Sequence, residues 1–214
     1  VDKQFNLQKG EVPEKLLRIE WVDKISDATI NQDEAYVLTI TSDSIFIKAT
    51  SPTGVYRAKQ TLNQLIESSD TKLSIPACEI TDWPAFRIRG YMHDVGRSFI
   101  SVEELKKHIR LLAKFKINTF HWHLTENQGW RLESKVFPEL NDSINFERLP
   151  GKFYTIEEAK EIADYCKQHH MLLIPEIDMP GHSAAFVRAM GADMQSEKGM
   201  TILKRLLDEI CEDV

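Results

Sequence analysis

The residues able to do chemistry fall into three short clusters. Asp94 and Arg97 stand three apart, a spacing at which an arginine fork could bind adjacent hydroxyls while the carboxylate fixes it in place. On spacing alone, a surface or helix-capping ion pair is the simpler reading. His121 and His123 alternate within Phe120-His-Trp-His-Leu124, ahead of Glu126 and Trp130, so on a strand the two imidazoles would point the same way. Such a pair could ligate a metal with His182 and Glu126 as further donors, or serve as structural histidines at a rim. The neighbouring Phe120, Trp122 and Trp130 suit a sugar face better than a hydrated cation. The third cluster is Pro175-Glu-Ile-Asp-Met-Pro-Gly-His182, whose prolines and glycine fix a turn that aims Glu176, Asp178 and His182. With Glu126 reaching from a neighbouring strand, His182 becomes half of an orienting pair in which the carboxylate holds the imidazole in one tautomer.

These clusters need elements to carry them. Residues 36–40 and 45–49 read as two strands around a polar turn, a hairpin. Val55, Ala58, Leu62 and Leu65 then recur at helical spacing behind Pro52 and Gly54, and residues 73–80 return to a strand. Residues 1–81 therefore form a small α+β domain. Asp82-Trp-Pro-Ala85 marks a boundary, and residues 82–214 alternate strands with amphipathic helices. Strands are predicted at 87–94, 117–124 and 172–175, the second apolar enough to be covered on both faces. Ser101-Val-Glu-Glu104 and Thr155-Ile-Glu-Glu158 are capping boxes. The helices they open bury Val102, Leu105, Ile109 and Leu112, and Ile156, Ala159, Ala163 and Cys166. A third helix is lined by Leu203, Leu206, Leu207 and Ile210, and its acidic remainder reads as a solvated face.

Three β/α units in succession predict a parallel sheet with right-handed crossovers, either doubly wound or a barrel. No Gly-x-Gly-x-x-Gly turn occurs. Each polar cluster instead follows the C-terminal end of a strand, the rim at which a barrel carries its active site. The expected fold class is α/β: a partial TIM-type (β/α) barrel of about three units behind the small α+β domain.

Composition narrows the function classes. A net charge of −6 over 214 residues, without a run of lysine or arginine, argues against a nucleic-acid partner, which requires clustered positive charge. No stretch approaches the roughly 18 apolar residues of a membrane span, and the first residues are not a signal peptide. The three cysteines, Cys78, Cys166 and Cys211, define neither a disulfide framework nor a zinc knuckle and are expected as plain thiols.

Taken together, Arg89-Gly-Tyr-Met-His-Asp-Val-Gly-Arg97, Phe120-His-Trp-His-Leu-Thr-Glu-Asn-Gln-Gly-Trp-Arg131, Tyr154-Thr155 and Pro175-Glu-Ile-Asp-Met-Pro-Gly-His182 resemble the β-N-acetylhexosaminidases of glycoside hydrolase family 20. The resemblance runs from about residue 82 to 214. Residues 1–81, including 54–65, resemble that family's small α+β domain, expected here to be shortened at its start. The resemblance implies that Arg97 binds hydroxyls of a terminal sugar with Asp94 in support, and that His182 bridges Glu126 to a general acid. Trp130 and Glu176 are further expected substrate-binding residues. Family members often carry Asp-Asp where this chain has Glu126-Asn127. The implied mechanism is substrate-assisted: the acetamido oxygen attacks the anomeric carbon, a glutamate protonates the leaving oxygen and an aspartate orients the acetamido group.

That Asp-Glu pair belongs to a His-x-Gly-Gly-Asp-Glu type motif on a fourth strand, and no such motif occurs in these residues. The chain is therefore expected to be a truncated exo-β-N-acetylhexosaminidase, inactive by itself, with an open sheet edge that favours self-association. Its partner would be a glycan or glycoconjugate ending in N-acetylhexosamine. No cofactor or metal is expected, and the location is expected to be periplasmic or extracellular. Two rival readings remain: a metal-dependent amidohydrolase-like barrel using His121, His123 and His182, and a non-catalytic carbohydrate-binding module.

Overall fold

A computed structural model describes residues 4–7, 16–68 and 73–213. The chain divides into two compact units, residues 1–89 with 114–116, and residues 90–113 with 117–214.

In the first unit, β3 (Tyr36–Ile40) and β4 (Ile45–Ala49) form the expected antiparallel hairpin. β2 (Leu17–Trp21) adds parallel to β4, and β7 (Cys78–Asp82) antiparallel to β3. Helix α1 (Pro52–Leu65) is capped by Ser51, whose hydroxyl accepts the Thr53 and Gly54 amides. Its Val55, Ala58 and Leu62 pack on Leu38, Ile40, Ile45 and Ile47. Gly54 permits this approach, since a Cβ there would lie 2.6 Å from the Ala35 carbonyl oxygen. The strand expected at 73–80 is two strands in two sheets. β6 (Leu73–Pro76) pairs with β1 (Gln4–Leu7) and with β5 (Glu67–Ser68), whereas β7 joins β3. Pro76 explains the break, because it has no N–H to continue a ladder.

In the second unit, β8 (Gly90–Asp94), β9 (Thr119–His123) and β12 (Leu172–Glu176) form a parallel sheet in the order β12-β9-β8. The register stacks Gly90, Thr119 and Leu172, then Met92, His121 and Ile174, then Asp94, His123 and Glu176, in three rows on one face. On the opposite face Phe120 and Trp122 are fully buried, and His93 meets His108 of α2 (Val102–Lys114) edge to face at 5.3 Å. Burying each large aromatic contributes about 1.5–3 kcal/mol. Met92, Leu172 and Ile174 on the first face are exposed, and β9 is the strand buried along most of its length, with His121 half-exposed.

Several local expectations change. The strand predicted from residue 87 begins at Gly90. The capping box at Ser101 forms only by half: Glu104 N donates to Ser101 Oγ at 3.3 Å, while the Glu104 carboxylate takes Lys107 Nζ at 2.7 Å. The box at Thr155 forms in both directions. Helix α3 (Ile156–Gln168) buries Ile162, with Ala163 half-covered. After β12 come two helices, the unanticipated α4 (Ala184–Met190) and α5 (Glu197–Asp213). Nor is the acidic side of α5 wholly solvated. Glu209 is buried and accepts Ser134 Oγ at 2.6 Å, Lys135 N at 2.6 Å and Val136 N at 3.0 Å. All three cysteines are free, and no helix among the described residues is long and apolar enough to cross a membrane.

Two outcomes follow for stability. Glu209→Ala strands the buried Ser134 hydroxyl and two partly covered amides and should cost about 2–3 kcal/mol in urea unfolding, whereas exposed Asp208→Ala should cost about 0.5 kcal/mol or less; equal costs would contradict the assignment. Burial and the His108 imidazole hold His93 below the ordinary imidazole range, against a raising pull from Asp94. The unfolded chain then takes up that proton more readily than the folded one. Stability is complete above about pH 6.5 and declines as the pH falls below it. The melting temperature should therefore drop between about pH 7 and pH 5, less so in His93→Gln; an equal drop in both proteins would refute this.

Candidate active site

The site is assembled at the C-terminal ends of the three parallel strands. Asp94 closes β8, and its two oxygens take the Arg97 amide at 2.9 Å and Arg97 Nη1 at 2.5 Å. The aspartate thus fixes both the turn after β8 and the guanidinium that the turn carries. Burial pushes the Asp94 carboxyl up, but the Arg97 hydrogen bonds and the nearby His123 outweigh it and leave it below the usual carboxylate range. The Arg97 guanidinium is in turn raised by Asp94.

Beyond β9 the chain makes a tight hairpin, β10 (Thr125–Glu126) against β11 (Gly129–Trp130). Glu126 is fully covered. Its Oε1 accepts Arg97 Nη2 and pairs ionically with His182 Nδ1, and its Oε2 accepts the Asn127 amide at 2.5 Å. Arg97 Nη2 and His182 Nδ1 are 3.4 Å apart. Arg97 and His182 stay nearly half-exposed above the buried carboxylate, so both present polar atoms to whatever enters. Gly96 makes room for this junction: a Cβ there would lie 2.6 Å from the Glu126 Cβ.

The residues on either side of Glu126 position the third cluster. Thr125 Oγ1 accepts the Asp178 amide at 2.9 Å, and Asn127 Oδ1 accepts the Ala184 amide at 3.1 Å. These bonds pin both ends of the loop that bears His182. His182 has φ 49, a left-handed conformation that costs an L-residue about 1–2 kcal/mol. Its Nε2 lies 4.0 Å from Asp178 Oδ2.

Glu176 turns to the histidine pair, with Oε2 at 2.6 Å from His121 Nε2 and 3.0 Å from His123 Nδ1. Burial raises the Glu176 carboxyl, but the two imidazoles more than offset that and leave it lowered. The same-face expectation for His121 and His123 thus holds, and their common partner is a carboxylate. His182 is drawn to Glu126, with its ring 6.3 Å from that of His123. Ligand atoms of His123, Glu176 and Asp178 lie within 4.8 Å of one another.

Trp130 requires a correction. Expected on a sugar face, it is 1% exposed, and packs with Leu140, Phe186 and Met190; the β10-β11 hairpin turns it into the core. Arg131 is a site-supporting residue that spacing does not single out. It is completely buried and its guanidinium donates only to carbonyls: Gly96 at 3.1 and 3.2 Å, Arg148 at 2.8 Å, Leu149 at 3.1 Å and Lys152 at 2.9 Å. Burial lowers it to about 10. Arg131 thereby fastens the turn that carries Arg97 to the 148–152 loop. A lone cation inside Gly-Trp-Arg-Leu was the available signal.

Comparison with known proteins agrees across the chain. The pattern of glycosyl hydrolase family 20, domain 2, matches residues 2–83, and that of glycosyl hydrolase family 20, catalytic domain, matches residues 86–211. A beta-hexosaminidase of Porphyromonas gingivalis is 43% identical over 171 residues, covering 74% of this chain and 22% of that protein. The chitobiase of Flavobacterium johnsoniae superposes with a TM-score of 0.81 at 34% identity, covering 92% of this chain and 32% of that one. An exo beta-N-acetylglucosaminidase of Vibrio harveyi, solved in complex with N-acetylglucosamine, gives 0.82 at 30% identity, covering 91% and 36%. The chain thus spans well under half the length of each. Its parallel sheet is the corresponding part of their (β/α) barrel, and the chain, matched over more than half its length by the catalytic-domain pattern, belongs to glycosyl hydrolase family 20.

Proposed function

We propose that the complete protein is an exo-β-N-acetylhexosaminidase that releases terminal GlcNAc or GalNAc from glycans or glycoconjugates, and that these 214 residues supply the hydroxyl-holding side of its sugar site. The observation that carries the reading is the meeting of Arg97 and His182 on one buried oxygen of Glu126. Arg97, with one nitrogen on Asp94 and another on Glu126, keeps a rigid planar edge toward adjacent sugar hydroxyls, a geometry a lysine ammonium does not reproduce. The Glu126 carboxylate faces Nδ1 of His182, which leaves Nε2 to meet the general acid.

The acid and the acetamido-orienting aspartate belong to a motif that these residues do not contain, so by themselves they hold the sugar and do not cleave it. Among the described residues β8 and β12 each pair on one side only. Their open backbone groups would take further barrel strands or, in the chain alone, a second copy. A glycan or glycoconjugate substrate would suit a periplasmic or extracellular enzyme.

In the complete protein, Arg97→Lys should lower kcat/KM on a chromogenic N-acetylglucosaminide roughly 10²-fold or more, the effect of misplacing a bound reactant. Glu126→Gln keeps the shape but frees the His182 tautomer and loosens Arg97, and should lower kcat roughly 10- to 100-fold and raise KM as well. Undiminished turnover in both variants would end the reading.

A further inference from the structure

The same rim carries a second convergence, centred on His123. Asp94, His123 and Glu176 are paired across three adjacent strands, so they project from one row, and Asp178 follows two residues after Glu176. His123 is 3% exposed, and neither of its ring nitrogens has a hydrogen-bond partner. Its Nδ1 is 3.0 Å from Glu176 Oε2, near but out of line for a hydrogen bond. A buried imidazole left in that condition costs free energy unless something completes it.

Charge points the same way. Four carboxylates, those of Asp94, Glu126, Glu176 and Asp178, gather here, and Arg97 pairs with only Asp94 and Glu126. Glu176 and Asp178 are left with histidine neighbours alone among the described ion pairs. A set of imidazole nitrogen and carboxylate oxygen, with donor atoms within 4.8 Å of one another, suits zinc and its neighbours rather than magnesium or calcium, which favour oxygen alone.

We propose that His123, Glu176 and Asp178 form a binding site for a zinc-class divalent ion, and that the ion inhibits the enzyme. Binding draws Asp178 toward the metal and away from His182 Nε2, now 4.0 Å off. It also adds positive charge beside Arg97. The inhibitory effect rests on the hexosaminidase reading; the binding does not.

Calorimetric titration of the chain with zinc chloride should show one equivalent bound at micromolar affinity, with no response to magnesium chloride. Glu176→Gln and Asp178→Asn alter partly exposed side chains and so leave the core intact. Each should weaken binding at least about tenfold, the least that loss of even an outer partner costs a metal site. No binding at millimolar zinc, or binding indifferent to both substitutions, would overturn the site. In the complete protein zinc should suppress glycosidase activity and a chelator restore it. Binding without suppression in an active enzyme would overturn the inhibitory role, whereas zinc bound to an inactive complete protein would leave the site standing and refute the hexosaminidase reading.

Discussion

A covered carboxylate is tolerated in a protein only when its oxygens are taken up by partners. Glu126 is that group here, and the architecture around it supplies the partners. The first strand delivers Arg97 through a turn locked by Asp94, and the third delivers His182 through a loop tied to Thr125 and Asn127. Gly96 leaves space for the junction, and the buried Arg131 guanidinium holds the Gly96 carbonyl. Removing the Glu126 charge would leave Arg97 and His182 without a common anchor, and each would have to find water or a new orientation.

The parallel register explains why such groups gather. Residues paired across adjacent strands share a face, so the rows of β8, β9 and β12 run from Gly90, Thr119 and Leu172 through Met92, His121 and Ile174 to Asp94, His123 and Glu176. Polarity rises toward the strand ends, where a barrel opens to its substrate. The opposite face, with Phe120 and Trp122, holds the helical layer. One sheet thus separates packing from chemistry by alternation alone.

Much of this was legible in the residues. Period-two and helical patterns located the hairpin, α1, α3 and the three parallel strands, because their apolar stripes are uninterrupted. Asp94, Arg97, Glu126 and His182 could be singled out because each follows a strand. What escaped reading depended on partners distant in sequence. Trp130 looks identical on paper whether it faces sugar or core, and only the hairpin at Thr125–Glu126 and Gly129–Trp130 decides. Glu209 reads as solvent-facing until Ser134, Lys135 and Val136 are folded against it. Glu104 satisfies the capping pattern yet prefers Lys107, a choice between two nearby charges that a motif cannot express. The Asn127 amide oxygen accepts the Ala184 amide, a use that spacing could not disclose.

The most direct examination of the Glu126 junction is the tautomer of His182, read by multiple-bond heteronuclear NMR of histidine-labelled protein. The expected result is a proton on Nδ1, held toward Glu126, with Nε2 carrying the lone pair, and loss of that preference in Glu126→Gln. An Nε2-protonated ring, or a tautomer mixture unaffected by that substitution, would contradict it.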